Sequence, residues 1–196
     1  MADSLAIARS ELILGGQKSG KSRRAELLAQ QWLAQSPQHQ AVLIATAQPW
    51  DDEMRERIAR HQQDRAARVP GMATVEEPLQ LAQAITQHSS RNTLVVVDCL
   101  TLWLTNWLMP AENFKEKVPP AQAGRAPAAM LSGAIRVAQG PVILVGNEIG
   151  LGVIPMGRET RAFVDALGRL NQEVAASCQR VTLMAAGLPL TLKDSA

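Results

Sequence analysis

Four short apolar runs separated by long helical stretches, with a glycine-rich loop directly after the first run, predict an α/β chain: a mostly parallel sheet flanked by helices. The runs cover residues 11–14, 41–46, 93–98 and 141–146, and a fifth covers 180–186. Runs this short, with little polar alternation, suit strands covered on both faces, and the spacers are long enough for right-handed crossovers. The arrangement is a doubly wound sheet. In the last crossover Phe163, Leu167, Leu170 and Val174 recur at spacings of four, three and four, which predicts one helix from about 158 to 177. Gly187, Leu188 and Pro189 then turn the chain into a short segment at 190–193, an antiparallel edge strand at the C-terminus.

A chain of 196 residues with 46% hydrophobic content can bury one sizeable core, so a single domain over 1–196 is expected. The stretch 110–127, rich in Pro, Ala, Gly and charge, reads as a variable surface loop without chemistry. Lys and Arg number 20 against 18 Asp and Glu, a balance that lacks the basic stripe of a nucleic-acid binder. The aromatic content of 3%, without any Tyr, also withholds the stacking platforms of single-strand binders. Two cysteines, Cys99 and Cys178, are too few for a disulfide framework and form no C-x-x-C pair. The first ten residues have no long apolar core, so neither a secretory signal nor a membrane span is expected, and the cytoplasm is the expected location.

The sequence Gly15-Gly16-Gln17-Lys18-Ser19-Gly20-Lys21-Ser22 fits G-x-x-x-x-G-K-[ST], directly after the first predicted strand and before a helix running to about residue 34. In that context it is a P-loop: backbone N–H groups cradle a phosphate, Lys21 reaches the β and γ phosphates, and the Ser22 hydroxyl ligates Mg²⁺. Asp98 closes the apolar run 93–98, where a second Mg²⁺ ligand belongs; capping the helix that follows is its plain alternative. Asp51, Asp52 and Glu53 open another helix with acid at its positive end. Along that helix Arg57, His61 and Arg65 are spaced by four and four, so two guanidinium groups flank an imidazole, a set suited to nucleophilic attack on an anion. On spacing alone, a histidine such as His61 is more often a surface or core-edge residue. His39 and His88 lie in polar, turn-like stretches and read as solvent-facing.

Taken together these segments resemble the bifunctional adenosylcobinamide kinase / adenosylcobinamide-phosphate guanylyltransferase family of cobalamin biosynthesis. The glycine loop with Arg23 matches, as do Asp98, Cys99, Leu100, Thr101, Leu102, Trp103, Leu104, Thr105 and Asn106. The family's D-x-E-M-x-x-R-I-x-x-H-x-x-x-R helix is matched at Asp51, Glu53, Met54, Arg57, Ile58, His61 and Arg65. Its late segment is matched from Asn147, Glu148 and Ile149 through Ile154 and Pro155 to Arg158, Arg161, Phe163, Asp165, Gly168 and Asn171. Three departures stand out. The usual Arg-Pro tract followed by Trp, Thr, Glu and Pro becomes Arg65-Ala66 and then Met72, Thr74, Glu76 and Pro78; Lys18 replaces a common Arg; Gly146 stands where Ser is frequent.

The resemblance implies a P-loop NTPase fold of RecA-like type and two successive reactions. The hydroxyl of adenosylcobinamide is phosphorylated from ATP or GTP, and GMP then passes from GTP to adenosylcobinamide phosphate through a GMP-histidine intermediate, with His61 at the aligned position. It further implies Mg²⁺ as cofactor, Arg57, Arg65 and Glu76 among the nucleotide-binding residues, Glu148 as a metal ligand or a turn cap, and a homotrimer. A kinase that has lost guanylyl transfer, motivated by the altered tract at Met72, is the alternative; a nucleotide-dependent regulatory subunit on the same fold is a third reading.

Overall fold

Branched and apolar residues in the short runs pair side by side as strands because each run buries both of its faces. The computed structural model describes residues 6–110, 126–153 and 155–195. The surface loop expected at 110–127 therefore falls outside the described residues except at its ends, as do Ile154 and the first five residues of the chain. In chain order the elements are β1 (Ser10–Gly15), α1 (Lys21–Gln35), β2 (Gln40–Ala45), α2 (Asp52–Arg68), β3 (Ala73–Glu76), α3 (Leu81–His88), β4 (Thr93–Asp98), α4 (Leu100–Leu108), α5 (Ala126–Val137), β5 (Val142–Val145), α6 (Arg158–Ser177), β6 (Arg180–Ala185) and β7 (Leu188–Asp194).

All seven strands join one sheet in the order β3-β2-β4-β5-β1-β6-β7. Every pairing is parallel except β6 with β7, which is antiparallel. One strand, β5, separates β1 from β4, the arrangement of the RecA-like P-loop fold. The antiparallel edge strand forms as expected, but it begins at Leu188 and takes in Leu188 and Pro189, two of the residues read as its turn. Strand β3 has no counterpart among the predicted runs: its four residues, Ala-Thr-Val-Glu, are mostly exposed, and pairing with β2 holds them in place.

Crossover handedness decides which helix covers which face. From β1 to β2 to β3 the chain moves one way along the sheet, so α1 and α2 share a face. From β3 onward it moves back, so α3, α4, α5 and α6 cover the other. Strand residues divide accordingly with period two. Leu12, Leu14, Val95, Val97 and Leu144 pack with Trp103, Leu131 and Leu170 on the four-helix side. Ile13, Leu94, Val96, Ile143 and Val145 pack with Ala25, Leu28 and Ala29 of α1. Fully buried Glu11 is the exception in β1: its Oε1 accepts from Arg24 Nε at 2.9 Å and Thr182 Oγ1 at 2.8 Å, which ties α1 to the sheet.

Two further ties involve charged ends. Lys193 of β7 donates to the carbonyls of Ala175 at 2.9 Å and Cys178 at 2.7 Å, satisfying the C-terminal end of α6, which has no basic residue in its own last turn. Helix α2 buries none of its residues. It is held at its ends instead: Asp51 accepts from the Met54 N–H at 2.7 Å, and Arg68 pairs with Glu26 of α1 at 3.0 Å. His39, expected to face solvent, stacks on Trp32 with ring centroids 3.7 Å apart and places Nδ1 2.8 Å from the Trp32 carbonyl. The indole at the end of α1 gives that imidazole an apolar face to cover.

Immediately after β5, a Cβ on Gly146 would meet Asn171 Oδ1 at 3.5 Å and Leu14 Cδ2 at 3.3 Å. That Asn171 oxygen is buried and has no hydrogen-bond partner among the described residues. A serine hydroxyl at position 146 can donate to it. Gly146→Ser is therefore expected to exceed Gly146→Ala in stability by about 1 kcal/mol, or roughly 2–4 °C in thermal midpoint. Equal midpoints for the two variants would show that the hydroxyl adds nothing.

Candidate active site

The loop between β1 and α1 owes its shape to two glycines. Gly15 has φ +154°, and a Cβ there would lie 2.5 Å from both the Met184 carbonyl and Ser19 Oγ, so no other residue fits. Gly20, at φ +101°, ends the loop in the left-handed region as the N-cap of α1. Lys18 between them is also left-handed, at φ +54°. Alternation of this kind turns successive N–H groups toward a common centre and makes an anion-binding concavity. The Gly187 N–H donates to the Ser19 carbonyl at 3.0 Å, so the turn between β6 and β7 braces the loop from behind. Gly16, Gln17 and Lys18 form its exposed rim.

Helix α1 begins at once with Lys21. It has no side-chain cap and no acidic residue in its first turn, so the positive end of its dipole is not neutralised from within the helix. Lys21 is 8% exposed, and its Nζ donates to the Gly16 carbonyl at 2.6 Å. Burial pushes its pKa below the ordinary value; Cys99 and Asp98 act against that shift, and Arg57 adds to it. Ser22, one residue on, donates its hydroxyl to Asp98 Oδ2 at 3.0 Å. Asp98 does not cap α4, whose N-cap is Cys99. Burial, and then Asp98, push the Cys99 thiol up to about 11, so it stays protonated at neutral pH.

From its place above α1, helix α2 sends two of its three predicted residues toward this centre. Arg57 lies near enough to Lys21 to disfavour its charge. Half-buried Arg65 has Nη2 3.4 Å from Thr74 Oγ1; burial lowers its pKa while Asp98 and Glu26 raise it. His61, one turn from each arginine, is exposed, and no hydrogen bond holds its ring among the described residues. Glu76 is exposed at the end of β3. Its neighbour Glu77 is engaged by backbone instead. The Glu77 Oε1 accepts from the N–H groups of Leu79 and Gln80 at 2.9 and 2.8 Å, which caps the entry to α3.

Glu148 sits against the P-loop, its N–H donating to the Gly15 carbonyl at 3.1 Å. Its Oε1 accepts from the Gly150 N–H at 3.0 Å and its Oε2 from Asn171 Nδ2 at 3.3 Å. One oxygen thus serves the turn after β5 and the other meets Asn171 of α6. A cavity of about 530 Å³ between α4, α5 and α6, lined by Trp103, Trp107, Leu170 and Arg169, includes none of these residues.

A cradle suited to phosphates, a buried lysine and a serine–aspartate pair meet at the carboxyl ends of β1 and β4, the edge where open α/β sheets bind ligands. The model of the cobinamide kinase / cobinamide phosphate guanyltransferase family matches residues 11–192. The chain belongs to that family. It is 45% identical over 184 residues to the bifunctional adenosylcobalamin biosynthesis protein CobP of Pseudomonas aeruginosa, a match covering 93% of this chain and 96% of that protein. It is 35% identical over 187 residues to the bifunctional adenosylcobalamin biosynthesis proteins CobU of Escherichia coli and of Salmonella typhimurium, covering 93% of this chain and 98% of each.

Several groups around the site of this enzyme escape sequence reasoning. Thr46 and Asn106 are buried beside Asp98 and Cys99, yet Thr46 reads only as the end of an apolar run. The place of Asn106 in the Asp98 to Asn106 segment was the available signal. Met72, where the family pattern has Trp, packs against the α1-side core. It therefore fills apolar space beside the sheet.

The Lys21 environment has a consequence in pH. A protonated Lys21 favours phosphate, and its pKa lies below the ordinary lysine value of 10.5. Affinity is full below that lowered pKa and declines as pH rises through it. GTP dissociation constants measured against pH should therefore weaken on an alkaline limb centred below 10.5, and Lys21→Arg should lack that limb. An unchanged limb in the arginine variant would assign it to another group.

Proposed function

We propose that this enzyme phosphorylates the aminopropanol hydroxyl of adenosylcobinamide with ATP or GTP, and then transfers GMP from GTP to adenosylcobinamide phosphate, giving adenosylcobinamide-GDP and pyrophosphate. The observation that carries it is the family match over residues 11–192, on a chain that sets its P-loop, Asp98 and the arginines of α2 at one edge of the sheet. Relatives at 35% and 45% identity are named as bifunctional, which favours the two-step reading over a kinase alone.

In the kinase step the loop N–H groups of residues 15–20 and Lys21 hold the β and γ phosphates, while the acceptor hydroxyl displaces the nucleoside diphosphate. Ser22 and Asp98, already 3.0 Å apart, suit a Mg²⁺ that takes its other ligands from phosphate and water, and it would neutralise charge on the phosphates. Among the described residues no cluster of three acidic, His or Cys side chains forms a separate metal cage. Glu148, whose carboxylate accepts from Gly150 and Asn171, holds the segment after β5 against Gly15.

In the transfer step an imidazole nitrogen of His61 attacks the α-phosphorus of GTP; a P–N bond forms as the bond to pyrophosphate breaks. A phosphate oxygen of adenosylcobinamide phosphate then attacks the same phosphorus and frees the histidine. Arg57 and Arg65, flanking His61 on one face of α2, stabilise charge on the entering and leaving phosphates, and Glu76 contributes to nucleotide recognition from the end of β3.

Assembly as a cytoplasmic homotrimer completes the proposal. On the outer strand β7, Leu188, Leu190 and Leu192 are 70%, 58% and 56% exposed, an apolar surface that a second copy would cover. No described helix is long and apolar enough to cross a membrane.

The deciding experiment is incubation with Mg²⁺ and GTP labelled at the α-phosphate, followed by denaturation. Acid-labile label is expected on the native protein and absent from His61→Ala, whose guanylyl transfer falls by more than about a thousandfold while phosphorylation of adenosylcobinamide persists. Label retained on the alanine variant would place the nucleophile elsewhere.

A further inference from the structure

Thr46 is completely buried one residue beyond β2, and every polar group it carries is engaged. Its N–H donates to the Asp98 carbonyl at 3.1 Å. Its hydroxyl donates to the Cys99 carbonyl at 2.7 Å and accepts from the Cys99 N–H at 2.9 Å. Its carbonyl accepts from Asn106 Nδ2 at 2.8 Å, and the same Asn106 amide donates to the Pro78 carbonyl at 3.0 Å. The β2–β4 ladder ends at the Ala45–Asp98 pair, so these contacts continue the pairing past the last rung, through a side chain instead of backbone alone.

We propose that Thr46, held by Asn106, is the positioning residue for Asp98. The carboxylate that accepts the Ser22 hydroxyl sits where the chain leaves the sheet, and backbone there has no further ladder to fix it. The Thr46 hydroxyl grips Cys99 by both its N–H and its carbonyl, which fixes the peptide following Asp98 and so the direction of the carboxylate. Valine has the same shape and would leave those two buried backbone groups unpaired. Serine keeps the hydroxyl. The inference rests on the reading of Asp98 as the carboxylate that serves the Mg²⁺–nucleotide complex.

The test compares GTP affinity with and without Mg²⁺, and kinase turnover at saturating nucleotide, in the full-length protein and four variants. Asp98→Asn should remove most of the affinity gained from Mg²⁺. Thr46→Val should reduce that gain and the kinase kcat by about tenfold, with Mg²⁺-free GTP affinity unchanged. Thr46→Ser should restore both to near the native values. Thr182→Val removes another fully buried hydroxyl, bonded to Glu11, and should lower thermal stability with both readouts unchanged. If Asp98→Asn has no effect, the reading of Asp98 fails and this inference with it. If Asp98→Asn is defective while Thr46→Val behaves like Thr182→Val, Thr46 is only part of the core and the inference alone is overturned.

Discussion

The 3.0 Å contact between Ser22 Oγ and Asp98 Oδ2 joins the first turn of α1 to the end of β4 across the intervening β5. That reach requires α1 to start immediately after the glycine loop, and the loop to turn back sharply at Gly15, where the Met184 carbonyl leaves no room for a Cβ. It also requires the carboxyl ends of β1 and β4 to be level, which the parallel registers through β5 provide. Buried Glu11, gripping Arg24, sets the tilt of α1 over the sheet. Shifting the loop or the strand register would separate the hydroxyl from the carboxylate.

The protein is nearly neutral as a whole, with a net charge of +2, and several of its cations meet at this edge. Lys21 is kept nearly out of water, α1 presents its positive end without an internal acid, and Arg57 and Arg65 approach from above. Burial disfavours the charged form of Lys21 and lowers its pKa, and nearby Arg57 adds a smaller repulsion in the same direction. Such an arrangement destabilises the fold locally and is relieved by polyanionic phosphate. Elsewhere charges are held by partners: Glu11 Oε1 by Arg24, and Lys193 by the carbonyls at the end of α6.

Helix α2 carries the residues of the second reaction under a different constraint. With no buried residue, and polar nearly all round, it takes its position from its two ends and from the few contacts of Met54 and Ile58, which are only partly covered. The root of the helix follows Thr46 by a short linker, and its far end is pinned by Arg68 on Glu26 and by buried Val69. A core helix would fix His61 more rigidly but could not leave it exposed to two large substrates in turn.

Local chemistry alone determined the strands that are apolar on both faces, the glycine loop in its strand-to-helix setting, and the boundaries of α6, because burial period and backbone freedom are properties of neighbouring residues. The acidic start of α2 was legible for the same reason. His61 was not: a lone exposed histidine between arginines carries no energetic signature, and only resemblance to a family singled it out. Tertiary structure alone decided that the polar segment Ala73–Glu76 would be a strand, since its stability comes from β2 and not from its own residues. It likewise decided that Asp98 would meet Ser22 and leave the cap of α4 to Cys99, that Glu148 would give one oxygen to its own turn and the other to Asn171 of α6, and that Thr46 would clasp Cys99. Each of these joins residues distant in sequence or resolves a choice between two acceptors, and such choices are made by the packing of the sheet, not by the propensity of a segment.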